Sequence, residues 1–157
     1  MNITDLLAPD AVVPALKVQS KKQLLQELAE RAAPLTRLPE RRIFETLVER
    51  ERLGTTGMGQ GIAIPHGRLA GLSKITGLFA RLEPAIAYEA VDDQPVDLVF
   101  LLLAPEGAGA DHLKALACVS RLLRNQRVCE KLRATSNPEV LYALLTEKAN
   151  GSASQAA

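Results

Sequence analysis

Apolar positions along this chain fall into two kinds of pattern, stripes recurring every three or four residues and short continuous runs, which predicts helices interleaved with strands. After a short opening segment, Ser20 and Gln23 form a capping-box pattern ahead of Leu24, Leu25, Leu28, Ala29 and Ala32, and Pro34 is expected to close that helix. A second helix is expected from Pro39, with Ile43, Phe44, Leu47 and Val48 as its buried stripe and Gly54 at its end. A loop over Gly54 to Gly61 leads into a short strand at Ile62 to Ile64. Strands follow at Ile75 to Leu82 and, more weakly, at Ile86 to Tyr88. Val96 to Leu103 is nearly continuous in β-formers and reads as a central strand covered on both faces.

The segment Pro105 to Gly109 breaks that strand, and Asp111 is expected to cap the next helix, with Leu113, Leu116, Ala117, Ser120 and Leu123 along one side. A short helix is predicted over Gln126 to Ala134. A last one opens at Asn137-Pro138-Glu139, buries Val140, Leu141, Leu144 and Leu145, and ends at Asn150-Gly151. Residues 1–147 form the expected domain, and 148–157 the end of that helix and a flexible tail. The alternation gives an α/β fold with helices covering a sheet.

At 157 residues the chain suits one domain with a real core, and with 3% aromatics its packing must be aliphatic. Lys and Arg number 19 against 18 Asp and Glu, for a net charge of +1, which argues against a general nucleic-acid binder. The longest apolar run is strand-sized and the N-terminus has no secretory pattern, so a cytoplasmic protein without membrane insertion is expected. Cys118 and Cys129 would lie about 16 Å apart along one helix. A disulfide needs α-carbons within roughly 7 Å, so both are read as buried thiols.

Candidate chemistry concentrates at Gly57-Met58-Gly59-Gln60-Gly61-Ile62-Ala63-Ile64-Pro65-His66-Gly67. Pro65 blocks helix and presses its neighbour into extended backbone, which places His66, one of two histidines, at the lip of a strand or in a loop. An imidazole is substantially neutral near pH 7 and can act as a nucleophile. The glycines permit close backbone approach. The glycine spacing is the wrong way round for dinucleotide binding, since it precedes a strand instead of opening a helix.

The longer string Arg50-Glu51-Arg52-Leu53-Gly54-Thr55-Thr56 running into His66-Gly67 resembles the phosphohistidine region of enzyme IIA proteins of the bacterial phosphoenolpyruvate-dependent phosphotransferase system. The match is to the fructose/mannitol type, and within it to the nitrogen-regulatory branch. Gln60 stands where Asn is common and Arg68 where Lys is common, both keeping the chemical type. The resemblance implies a mixed β-sheet flanked by helices on both faces. It implies that His66 accepts a phosphoryl group through its distal ring nitrogen from an HPr-like phosphocarrier (NPr), with Arg50 and His112 in support. Regulated proteins such as potassium transporters or sensor kinases would then read the phosphorylation state.

On this reading Arg50 supplies a planar cationic fork and His112 a first-turn ring N–H. Gly57, Met58, Gly59, Gly61, Ile62 and Leu69 form the partner-binding loop, with Met58, Ile62 and Leu69 as its apolar collar. No cofactor and no metal is expected. Three alternatives stand beside it. One is a sugar-specific enzyme IIA that passes phosphate to a IIB domain, and another is a binding module that never carries phosphate. A hydrolase or metal enzyme is the third, against which stands the lack of Cys-x-x-Cys, His-x-x-x-His or Gly-x-Ser-x-Gly spacing.

Overall fold

A computed structural model describes residues 1–147. The tail at 148–157 and the helix end at Asn150-Gly151 lie outside the described residues. A 3-10 turn at Ile3–Asp5 precedes β1 (Val12–Leu16), α1 (Lys21–Thr36) and α2 (Glu40–Leu53). Next come β2 (Gly57–Gly59), β3 (Ile62–Ala63), β4 (His66–Leu69), β5 (Thr76–Ile86) and β6 (Val96–Pro105). Three helices complete the described residues: α3 (Gly109–Leu123), α4 (Gln126–Arg133) and α5 (Pro138–Thr146).

The sheet runs β1-β5-β6-β3-β2, with β4 paired to β6 beyond β3. It is mixed: β1 is parallel to β5, β3 and β4 are parallel to β6, and β5 is antiparallel to β6. As its run of β-formers predicts, β6 is buried on both faces. Val99, Leu101 and Leu103 join the core under α1 and α2, while Leu98, Phe100 and Leu102 join the core under α3, α4 and α5. Full burial of such side chains contributes about 1.5–3 kcal/mol each, which makes β6 the axis of the molecule.

Several sequence expectations change. The opening segment contains a strand, β1, that its Pro14 disguised. Pro34 does not end α1; it sits in the last turn, and the helix stops at Arg37, whose backbone is left-handed with φ 59°. Ser20 does cap this helix, accepting from the Gln23 N–H at 3.1 Å, while the Gln23 side chain accepts from Gln19 N–H. The predicted strands at 75–82 and 86–88 are replaced by one long strand, β5, which ends at Ile86 and shifts register between Arg81 and Ile86.

Asp111 is not the cap of α3, because the helix has already begun at Gly109 after Ala108. The buried stripe of α3 is His112, Ala115, Val119 and Leu123, one position out of phase with the Leu113 stripe, and Leu113 is 65% exposed. In α5, Leu141 and Leu145 are buried but Val140 is exposed. Cys118 is half-buried and Cys129 buried, both as free thiols.

Candidate functional site

Strands β3 and β4 lie in line along β6, with β2 on the far side of β3 and, among the described residues, no strand on the far side of β4. Ile62 and Ala63 pair with Leu98 and Val99, and His66 to Leu69 pair with Leu102 to Pro105. The break is Ile64-Pro65, where proline lacks the N–H that a ladder needs. Past it the chain rejoins β6, with Leu102 N–H donating to Pro65 O at 3.0 Å. His66 therefore stands on the sheet, not on a free loop.

Alternation along β4 puts His66 and Arg68 on one face, with Gly67 and Leu69 on the other. Gly67 is required by space: a Cβ there would lie 2.6 Å from Thr46 Cγ2 of α2. That close approach lets the end of α2 reach past the strand to the histidine. Arg50, in the last turn of α2, donates from Nη1 to Gly54 O at 2.8 Å and from Nε to His66 Nε2 at 3.2 Å.

The wiring fixes the proton on His66. Its Nδ1 lies 2.8 Å from Ile64 O, which can only accept, so Nδ1 carries the hydrogen and donates. Nε2 then holds the lone pair, and Arg50 Nε donates into it. Burial lowers the His66 pKa first, and the Arg50 charge lowers it further, against the raising influence of Ile64 O and Glu51. The ring is neutral at pH 7.

His112 stands across the site with its ring edge-on to His66, centroids 5.5 Å apart. Burial first, and then His66 and Arg68, lower its pKa to about 4. Its backbone N–H is already bonded to Ala108 O at 2.7 Å, so His112 serves the site through its ring alone.

An open depression of about 430 Å³ surrounds His66 and is lined by Arg50, Leu53, Arg68, His112, Leu113 and Leu116 among others. Leu53 is 85% exposed, so its rim is apolar and solvent-facing. The expected collar residues Met58, Ile62 and Leu69 do not line this depression. Leu69 is buried under α1 and α2, turned away from His66 by strand alternation, and Ile62 is buried beside α3. Met58, Gly59 and Ile62 line a different groove of about 410 Å³, against Arg121 and Arg124. Gly57 packs against Ala90 and Tyr88, and Gly61, at φ 82°, makes the turn into β3.

No motif or spacing singles out Glu51. Its carboxylate, with only 7% of the side chain exposed, pairs with Lys21 Nζ at 2.9 Å and accepts from Thr56 N–H at 3.1 Å and Tyr88 OH at 3.3 Å. The Thr56 hydroxyl also donates to it. Lys21 Nζ lies 4.5 Å from the Tyr88 ring centroid. Glu51 thus anchors the loop between α2 and β2 directly beside Arg50. Burial and the Glu51 charge push the Tyr88 hydroxyl pKa strongly upward. Arg68 also joins the site; its spacing two residues beyond His66 is the signal for this, once the segment is known to be a strand.

Among the described residues no group of three or more His, Cys, Asp or Glu side chains is placed to hold a metal, and no helix is long and apolar enough to cross a membrane.

Over residues 5–148 the chain matches the family described as phosphoenolpyruvate-dependent sugar phosphotransferase system, EIIA 2, and it belongs to that family. It is a component of the phosphotransferase-system class, built on the mixed sheet just described. Its relatives within the family include nitrogen regulatory proteins and, at 34% identity over 94% of this chain and 98% of that one, the PTS system fructose-specific EIIA component of Haloferax volcanii. It is 63% identical to the nitrogen regulatory protein of Bradyrhizobium diazoefficiens, over 92% of this chain and 95% of that one. The crystal structure of nitrogen regulatory protein IIA-Ntr from Neisseria meningitidis superposes with a TM-score of 0.87 at 38% identity, covering 92% of this chain and 99% of that one. IIA mannitol from Escherichia coli, at 19% identity and a TM-score of 0.75 over 88% and 97% of the chains, shares the fold.

Proposed function

We propose that His66 accepts a phosphoryl group from an HPr-like phosphocarrier, and that partner proteins distinguish the bare from the phosphorylated form. One observation carries this reading: Ile64 O holds the proton on Nδ1, which leaves the lone pair on Nε2 at the floor of an open depression. In the transfer, Nε2 attacks the phosphorus of the donor's phosphohistidine. The donor's P–N bond breaks, and its electron pair returns to the donor ring. No proton moves at the reacting nitrogen, and Ile64 O keeps its hold on Nδ1–H as the His66 ring takes on positive character.

Arg50 gives up its bond to Nε2 as phosphorus arrives, and its guanidinium then meets the phosphoryl oxygens, where a charged fork is most effective. His112 adds a ring donor from the other side. Leu53 and Leu113 offer the apolar surface on which a carrier docks. The new group adds about −1.5 to −2 charge beside that surface, enough to change which partner binds. The nitrogen-regulatory relatives favour such an output, toward targets such as potassium transporters or sensor kinases, over delivery of phosphate to a sugar-specific IIB domain.

The test is to incubate the protein with phosphoenolpyruvate, enzyme I and the HPr-like carrier and to measure its intact mass. An acid-labile phosphoryl adduct is expected on the wild type and absent from His66→Ala. No adduct on the wild type, with a control acceptor labelled, refutes the carrier and leaves a module that only binds. Pull-downs with wild type, His66→Ala and His66→Asp then identify the state that each partner reads.

A further inference from the structure

His112 Nε2 is the only buried side-chain nitrogen or oxygen among the described residues that lacks a hydrogen-bond partner. Buried polar groups are normally satisfied, and an exception calls for a reason. The other ring nitrogen of His112 is satisfied in an unusual way. Arg68 Nε lies 3.1 Å from His112 Nδ1. A guanidinium has donors only, so Nδ1 must be the acceptor, and the hydrogen of the neutral ring must sit on Nε2. An imidazolium is excluded by the same contact, because its Nδ1–H would face the Arg68 N–H. The lowered pKa of His112 agrees with this.

Arg68 is itself held in place by β4. Its Cα pairs with Ala104 of β6, two residues beyond His66 on the same strand face. The tautomer of His112 and the position of the His66 ring are thereby set from one short piece of backbone.

We propose that Arg68 is a positioning residue: it locks His112 as the Nε2–H tautomer and so keeps an unspent neutral donor ready for the phosphoryl oxygens at His66. This purpose rests on the phosphocarrier reading, whereas the lock itself exists without any phosphoryl group. The donor costs no reorganisation when charge arrives, which is the condition for effective electrostatic stabilisation. Being neutral, it offers the phosphoryl group a hydrogen bond without adding a further charge to those of Arg50 and Arg68.

The test is ring 15N–1H correlation spectroscopy of the free protein, read beside the rate of phosphoryl transfer from the phosphorylated HPr-like carrier. The chain has two histidines, so His66→Ala assigns both rings. Wild type is expected to show His112 protonated on Nε2 alone. In Arg68→Ala the His112 ring exchanges between tautomers and takes up a proton at higher pH than in wild type, and transfer slows roughly tenfold, the value of one hydrogen bond to a charged group. Arg68→Lys, also a donor without an acceptor, restores the wild-type ring pattern and most of the rate. Arg68 is solvent-exposed, so neither substitution empties the core. Unchanged His112 ring signals in Arg68→Ala overturn the proposal, whether or not the rate falls. A wild type that takes no phosphoryl group refutes the carrier reading instead, by a separate measurement.

Discussion

Arg50 Nε and His66 Nε2 lie 3.2 Å apart, so the resting protein covers its candidate nucleophile with the group that would later stabilise the product. Arg50 is half-buried and has a second anchor in Gly54 O. Arg50→Ala is expected to slow phosphoryl acceptance about ten- to a hundredfold, the range for losing one charge-assisted interaction. Stability should fall by no more than about 1 kcal/mol, as for a part-exposed side chain. Arg50→Lys should recover little of the rate, since an ammonium lacks the planar fork. Rapid-quench labelling and urea denaturation check the two halves.

Both imidazoles resist protonation, which fixes the sign of two pH effects. Between pH of about 4 and 6.5 the unfolded chain protonates His112 while the folded chain does not. Stability therefore rises with pH across that window and is lost as pH falls through it. The urea midpoint of the wild type should drop between pH 7 and pH of about 4.5, and less so in His112→Gln. Because burial and the Arg50 charge hold the His66 pKa below its ordinary value, phosphoryl acceptance should fall at more acid pH than an unperturbed imidazole would give, as the Nε2 lone pair is lost.

Gly67→Ala tests the seam between α2 and β4. The added methyl meets Thr46 Cγ2, and overpacking of this kind costs about 1–3 kcal/mol. Thr46→Ala removes the colliding atom, so the double variant should regain most of that loss. Denaturation of both single variants and the double variant, taken as a cycle, measures the coupling directly.

Glu51→Ala leaves Lys21, Thr56 and Tyr88 without a shared partner in a nearly closed site. Removing one member of a buried pair costs about 3 kcal/mol or more. The loop that fixes Gly54 should loosen as well, so hydrogen exchange at residues 54–57 is expected to rise together with the fall in stability.

What the sequence made legible was local. The stripe and Ser20 cap of α1, the Asn137 cap of α5 and the apolar run of β6 follow from short-range rules, and each appears in the structure. The α/β class followed from their order. The failures came where two readings were locally equal. Helix α3 carries two apolar stripes, and the chosen one, through Leu113, left no room for a polar His112 in the buried set. Strand β4 was hidden because Pro65 and Gly67 look like loop residues until β6 is present to pair with them. The contacts that tune the site, Thr46 with Gly67, Arg68 with His112 and Glu51 with Tyr88, span 21 to 44 residues and exist only after folding.

An outermost strand usually leaves every second carbonyl facing outward, an open invitation for a foreign chain to add itself to the sheet. Beside β4, which has no strand on its far side among the described residues, Pro65 spends its carbonyl on Leu102 of β6, whereas Ile64 O is taken by the imidazole two places along. The molecule guards this border and aims its candidate nucleophile with one and the same contact. Any change that straightened the kink at Pro65 would disturb both at once, exposing a sticky margin and unseating the ring.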